Sequence, residues 1–354
     1  MKTLSIQSPE FLDAAKKPSR LDKLARRIVR ARLEAIAEGE IVVSEGGETE
    51  TFGAKSAGLP LSAHITINDP TFYSDIAFGG VIGSGESYIH GHWSCDDLTT
   101  LVRILLRNRN VLENMDGGAA LVTRPLQKLF HWLNRNTRNG SRRNIAAHYD
   151  LGNDFYELWL DERMMYSSAV YERPDMSLEA ASTAKLDRIC RKLRLSPDDH
   201  VIEIGTGWGG FAIYAASHYG CRVTTTTISR QQHDYAREAI KAAGLEDRIT
   251  LLFEDYRDLE GSYDKLVSIE MVEAVGWEFH DTFFAKCSEL LKPHGEMLIQ
   301  AITIADQYFE TYKKSVDFIR RYIFPGGCLM SVTAMSDSLT RVTDMRAVHI
   351  EDIG

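Results

Sequence analysis

DDHVIEIGTGWGGFAIYAASHYG, Asp198 to Gly220, is the stretch that decides the fold. A run of strand formers, Val201 to Ile204, meets a turn containing Gly205, Gly207, Gly209 and Gly210, and a helix-patterned segment follows. Glycines at a strand-to-helix turn let the backbone approach a ligand closely, with helix N–H groups aimed at it. Outward from this turn, strands and helices alternate from about residue 145 to the end of the chain. Strands are expected at 200–204, 221–227, 249–253, 265–269 and 295–302, and helices at 209–218, 229–243 and 280–291. That rhythm predicts right-handed crossovers and a doubly wound parallel α/β sheet.

Upstream the pattern changes. RLDKLARRIVRARLEAIAEGE, Arg20 to Glu40, has helical spacing and six Lys/Arg between Arg20 and Arg32. HITINDP and SDIAFGGVIGSGESYIHG read as strands joined by glycine turns, and DDLTTLVRILLRN as a helix capped by Asp96 or Asp97. A small α+β domain over 1–115 is expected. A connector over 116–144 follows, and its RPLQKLFHWLNRNTRNGSRRN, Arg124 to Asn144, has six Lys/Arg and no acid. With Leu126, Leu129, Phe130, Trp132 and Leu133 interspersed, it suits the surface of an anionic bilayer. A solvated interdomain helix is the plainer reading of the same residues.

At 354 residues and 44% hydrophobic, the chain can bury one large core or two smaller ones. A net charge of −9 argues against general nucleic-acid binding. No apolar run reaches the roughly 18–20 residues of a membrane span, and the N-terminus lacks a signal-peptide stretch. The five cysteines (Cys95, Cys190, Cys221, Cys287, Cys328) form no CxxC pair and read as reduced, buried thiols of a cytoplasmic protein. His90 and His92 have no further ligand cluster nearby, so no metal site is expected.

A lone GxGxG accommodates a dinucleotide or S-adenosylmethionine. Glu203, inside the first strand two residues before Gly205, can reach the amino group of a methionine moiety. A dinucleotide would instead require an acid at the end of the second strand. That strand ends TTTTIS, Thr224 to Ser229, without one. In FEDYRDL, Asp255 and Tyr256 could hydrogen-bond and stack on an adenine. These residues favour S-adenosylmethionine over a nicotinamide cofactor.

Six motifs in order then resemble the cyclopropane fatty acid synthases. They are AAHYDLGNDFYELWLDERMMYSSAVY (Ala146 to Tyr171), EIGTGWGGFAIYAA, TISRQQ, DYRDL, IEMVEAVG and RRYIFPGG, and the likeness runs from GSGESYIHGHWSCDDL to the last residue. The resemblance implies a Rossmann-like class I methyltransferase core over 145–354 behind the smaller N-terminal domain. It implies a bacterial enzyme passing a carbon from S-adenosylmethionine to the cis double bond of phospholipid acyl chains. It would work peripherally on the inner face of the cytoplasmic membrane, with the N-terminal domain handling lipid and pairing subunits. Tyr166, Ser167, Glu203, Gly205, Gly207, Thr227, Gln232, Asp255 and Tyr256 match the family's cofactor contacts.

An alkene attacking a sulfonium methyl leaves a carbocation, and a base must then remove a proton to close the ring. The family is thought to use a bound bicarbonate for this, held by a Cys, a Glu, a His, a backbone amide and a Tyr. Here Glu273 supplies the Glu, Ser168 replaces the Cys, Gln300 replaces the His and Ile302 supplies the amide. The position after the Glu, commonly His, is Ala274. Gln can donate to an anion but cannot carry positive charge. Proton loss from a neighbouring chain carbon would instead give a methyl-branched unsaturated product. MRAVHIEDIG, Met345 to Gly354, is expected to be a sixth strand with nothing left for the family's seventh, so the chain reads as truncated before the expected Tyr. The rival readings are a small-molecule N- or O-methyltransferase and a non-catalytic lipid- or cofactor-binding relative. Taken singly, Glu273 is a helix-start acid, Gln300 a satisfied core polar group, and Tyr322, Phe324 and Pro325 packing residues.

Overall fold

The computed structural model divides into two compact units, Met1–Gln127 and Lys128–Gly354. It describes residues 18–56, 58, 60–109, 136, 137, 140, 141, 144 and 152–353. Most of the basic connector therefore lies outside the described residues.

In the first unit, α1 (Arg20–Leu33) starts at a capping box in which Ser19 and Asp22 exchange side-chain and backbone hydrogen bonds. Strands β1 (Gly39–Glu45), β2 (Glu48–Ala54), β3 (Ser62–Ile67) and β4 (Trp93–Cys95) form a sheet of order β2-β1-β3-β4. Between β3 and β4 runs α2 (Thr71–Ile89), and α3 (Leu98–Arg107) follows, capped by Asp97. The stretch expected as glycine-linked strands is thus a helix. Its Phe72, Tyr73, Ile76 and Ala77 lie one turn apart and bury against Ala25, Val29 and the sheet residues Ile41 and Ile65. Gly80, at φ 60° and ψ −143°, kinks it, which broke the periodicity visible in the sequence. His92 Nδ1 lies 2.8 Å from Asp75 Oδ2, tying the turn before β4 back to α2.

Between α1, α2, α3 and the sheet lies a cavity of about 370 Å3, lined almost wholly by apolar side chains including Val29, Ile65, Phe72, Trp93 and Leu101. Val81, Tyr88, Leu98, Val102 and Leu106 at its lining are exposed large hydrophobics.

The second unit carries five parallel strands: β5 (His200–Ile204), β6 (Arg222–Thr226), β7 (Ile249–Leu252), β8 (Tyr263–Ile269) and β9 (Leu291–Gln300), in order β7-β6-β5-β8-β9. Its helices are α4 (Asn153–Glu157), α5 (Leu178–Lys192), α6 (Gly210–Tyr219), α7 (Arg230–Ala242), α8 (His280–Leu290), α9 (Asp306–Tyr312) and α10 (Val332–Val342). Both sheet faces are buried, as a parallel sheet requires. Val201 and Val223 pack with Leu186, Phe211 and Ile240 on one face, and Ile202, Ile204 and Leu266 with Phe283, Phe284 and Met330 on the other. Each such side chain contributes roughly 1.5–3 kcal/mol by leaving water. Cys190, Cys221, Cys287 and Cys328 are buried, as expected of all five free cysteines, whereas Cys95 at the end of β4 is only partly buried.

Met345–Ile353 does not form the expected sixth strand. Glu351 pairs with Arg188 and Lys192 of α5, which holds this segment on the helix with Val348 and Ile350 exposed. Among the described residues no helix is long and apolar enough to cross a membrane.

Candidate active site

Strand order reverses between β5 and β8, and the crevice outside the carboxyl ends of such strands is where open α/β sheets bind ligands. The glycine turn lies there. Gly205, Gly207 and Gly209 take φ of 105°, 55° and 94°, a region open to glycine, before α6 begins. The amides of Gly205 and Thr206 both donate to Thr226 O at the end of β6, fixing the turn (3.1 and 3.0 Å). Glu203 is 2% exposed and accepts from Thr225 Oγ1 at 2.6 Å. Burial pushes its carboxyl up to about 8, against the lowering by that hydrogen bond. An ammonium group arriving here would find a buried acid ready to ionise against it.

At the end of β6, Thr227 Oγ1 donates to Gln232 Oε1 at 2.8 Å, and Ser229 caps α7 beside them. The two residues expected at a ribose are therefore already oriented by each other. Past β7, the two residues expected at an adenine have protein partners of their own. Both oxygens of Asp255 are held by Arg257, whose Nε and Nη2 donate at 2.8 and 2.7 Å. Tyr256 packs edge-on against Phe283 (5.5 Å), with a buried hydroxyl that has no partner among the described residues. Asp255 is thus buried and Tyr256 half-buried against the core, and any adenine contact of theirs would be shared with these partners.

The segment before α5 reaches over the glycine turn. Tyr166 joins an aromatic cluster with Tyr156, Trp159 and Trp208, at ring separations of 5.7, 5.6 and 6.5 Å. Trp208 comes from the glycine turn itself, and its Nε1 donates to Asn153 Oδ1 at 2.9 Å. Ser167 accepts from the buried Lys185 Nζ at its hydroxyl (2.6 Å) and its carbonyl (3.0 Å). Burial lowers that ammonium to about 8, although Glu270 and Asp161 favour its charge.

Of the four residues expected to bind an anion, Ser168, Gln300 and the Ile302 amide gather at the ends of β8 and β9 around two carboxylates, one the fourth residue, Glu273, and the other Glu270. Ser168 N and Oγ each donate to Glu270 Oε1 at 3.0 Å, and Gln300 Nε2 donates to the same oxygen at 2.9 Å. Ile302 N donates to Glu273 Oε1 at 2.5 Å, while Glu273 Oε2 is buried without a partner among the described residues. Burial pushes Glu273 up to about 7, with backbone hydrogen bonds acting against it and the Glu270 charge adding to it. Glu270 itself was missed in the sequence. IEMVEAVG holds two acids three residues apart, and only the tertiary contacts distinguish them. A Cβ on Gly205 would stand 3.2 Å from Met271, so the loop carrying Glu270 packs against the glycine turn.

This sheet, turn and crevice define an S-adenosylmethionine-dependent methyltransferase of the Rossmann-like class. The mycolic acid cyclopropane synthetase family model matches residues 136–354, and the chain belongs to that family. It is 40% identical over 281 residues to the cyclopropane-fatty-acyl-phospholipid synthase of Escherichia coli (strain K12), covering 78% of this chain and 69% of that one. It is 37% identical over 287 residues to the tuberculostearic acid methyltransferase of Mycobacterium tuberculosis, covering 76% of this chain and 64% of that one. The chain therefore spans somewhat under, or just over, two thirds of these relatives' lengths. A solved mycolic acid cyclopropane synthase complexed with SAH and CTAB superposes with a TM-score of 0.52 at 31% identity, covering 56% of this chain and 73% of that one.

Proposed function

We propose that the protein transfers a one-carbon unit from S-adenosylmethionine to the cis double bond of unsaturated phospholipid acyl chains, giving a cyclopropane. The observation that carries this reading is a pair of carboxylates, Glu270 and Glu273, at the strand ends beside the glycine turn. A methyl acceptor with a nitrogen or oxygen lone pair needs only alignment with the donor. An alkene produces a cation, and fixed negative charge beside the donor stabilises it and its loss of a proton. In support, the named relatives are a fatty-acyl-phospholipid synthase and a tuberculostearic acid methyltransferase.

Glu203, Gly205 and Gly207 would hold the methionine end of the donor, Thr227 and Gln232 its ribose, and Tyr166 would cover it. The donor supplies an electrophilic methyl group. The apolar cavity of the N-terminal unit, within the roughly 300–1,000 Å3 range of small-molecule sites, would take an acyl chain. Work at the face of a bilayer, as a peripheral protein, follows from such a substrate.

The test is incubation with vesicles of cis-unsaturated phosphatidylglycerol and donor deuterated in the methyl group, read by mass spectrometry. Product with two deuteriums and no double bond is expected. Three deuteriums with unsaturation retained would make the product methyl-branched instead. Absence of label in lipid would overturn the lipid assignment.

A further inference from the structure

The groups expected to cradle a bound bicarbonate are already committed. Ser168 and Gln300 converge on Glu270, and the Ile302 amide on Glu273. An added anion would displace a carboxylate from its donors and sit against its charge. Bicarbonate does not fit this donor set.

Resting on the reading above, we propose that Glu270 is the base of the reaction, its carboxylate standing where the bicarbonate is expected. Three donors hold one of its oxygens, and its backbone amide donates to Gln300 O at 2.8 Å, so side chain and main chain are both tied to the end of β9. The residue adopts φ 48°, a conformation uncommon for anything but glycine and of the kind that concentrates at functional sites. It is half-buried beside the exposed Ser168, so a reacting carbon can approach, and its loop packs on the glycine turn through Met271. Glu273 is the less suited of the two. One of its oxygens is bound to the Ile302 amide and the other is buried.

The step balances without any further reagent. The alkene π pair forms a bond to the methyl carbon as that carbon's bond to sulfur breaks, leaving its pair on sulfur as a thioether. The positive charge passes to the other alkene carbon. Glu270 then takes a proton from the new methyl group, and the freed C–H pair closes the three-membered ring. The resulting carboxylic acid returns its proton to solvent.

The decisive variant is Glu270→Gly, because glycine takes φ 48° without strain and should leave the fold intact. It should stay folded, with a cooperative thermal transition, and should still bind S-adenosylmethionine. In buffer stripped of carbon dioxide, the parent should turn over vesicle lipid at its full rate. E270G should lose about 10²–10⁴-fold, the usual worth of a general base. Added bicarbonate, entering the vacated donor set, should restore at least about tenfold of that loss. A parent that requires bicarbonate, or an E270G variant as fast as the parent without it, would overturn the proposal. A second arm needs no turnover: 13C-labelled bicarbonate followed by NMR line broadening should bind E270G saturably and the parent not at all. Binding to the parent would sink the proposal even if no lipid is ever methylated. A parent with no lipid product but with this binding pattern would instead fault only the substrate reading.

Discussion

Thr225 Oγ1 donates to Glu203 Oε2 at 2.6 Å, a hydrogen bond that opposes the burial lifting this carboxyl to about 8. Between about 4.5 and 8 the folded chain therefore keeps a proton that the unfolded chain has lost. Stability contributed by this group is present at low pH and is lost as pH rises through that window, by at most about 1.4 kcal/mol per pH unit. Urea unfolding between pH 5 and 8 should show the decline, and Glu203→Gln should flatten it. Binding of S-adenosylmethionine at pH 7 should release close to one proton as the carboxyl ionises against the ammonium group. Calorimetry in buffers of different ionisation enthalpy measures this, and an equal release from Glu203→Gln would refute the assignment.

Asp255 and Arg257 form a two-pronged ion pair with side-chain exposures of 4% and 10%. Removing one partner leaves a buried charge uncompensated, so Asp255→Ala should destabilise the unit by about 3–5 kcal/mol. Asp255→Asn, which keeps an acceptor, should cost less. A urea midpoint unchanged in Asp255→Ala would mean that the residue serves a ligand alone.

Gly205 sits at φ 105°, and a Cβ there would lie 3.2 Å from Met271. Gly205→Ala combines strain with crowding of the loop that carries Glu270, and should lower stability by about 1–3 kcal/mol. Affinity for S-adenosylmethionine should weaken in the same variant. Full affinity in calorimetry would separate the turn from the cofactor.

Val102 lines the apolar cavity and is 50% exposed. Val102→Trp should obstruct the cavity while changing stability by no more than about 0.5 kcal/mol, as surface substitutions generally do. The fluorescence enhancement of cis-parinaric acid, expected with the parent, should fall severalfold in the variant. Undiminished enhancement would exclude the cavity as the acyl site.

Local pattern carried far in the second unit. The strand expected at 200–204 is β5, residue for residue, and the helices expected at 229–243 and 280–291 differ from α7 and α8 by a residue or two at their ends. Burial on both faces favours β-branched and apolar residues along such strands, and a single chain segment suffices to show that. The stretch from Ser74 to Gly91 defeated the same method. Its glycines and the kink at Gly80 hid a helical face that only packing against α1 and the sheet reveals. The ending at Met345–Ile353 likewise looked like a strand, yet three side chains on α5 and the tail decide its place through charge pairing.

By itself the sequence determined the alternating architecture, the glycine turn with its buried acid, and the membership of a family whose motifs stand in order. These rest on periodicity and on residue types at short spacing, which a chain displays without folding. Only the tertiary structure decided which acid of IEMVEAVG meets Ser168 and Gln300. Residues 168, 270 and 300 come together because β8 and β9 are neighbours and the segment before α5 reaches over their ends. A positive φ at Glu270 turns its carboxylate to those donors, and a torsion imposed by long-range packing leaves no mark in the order of the letters.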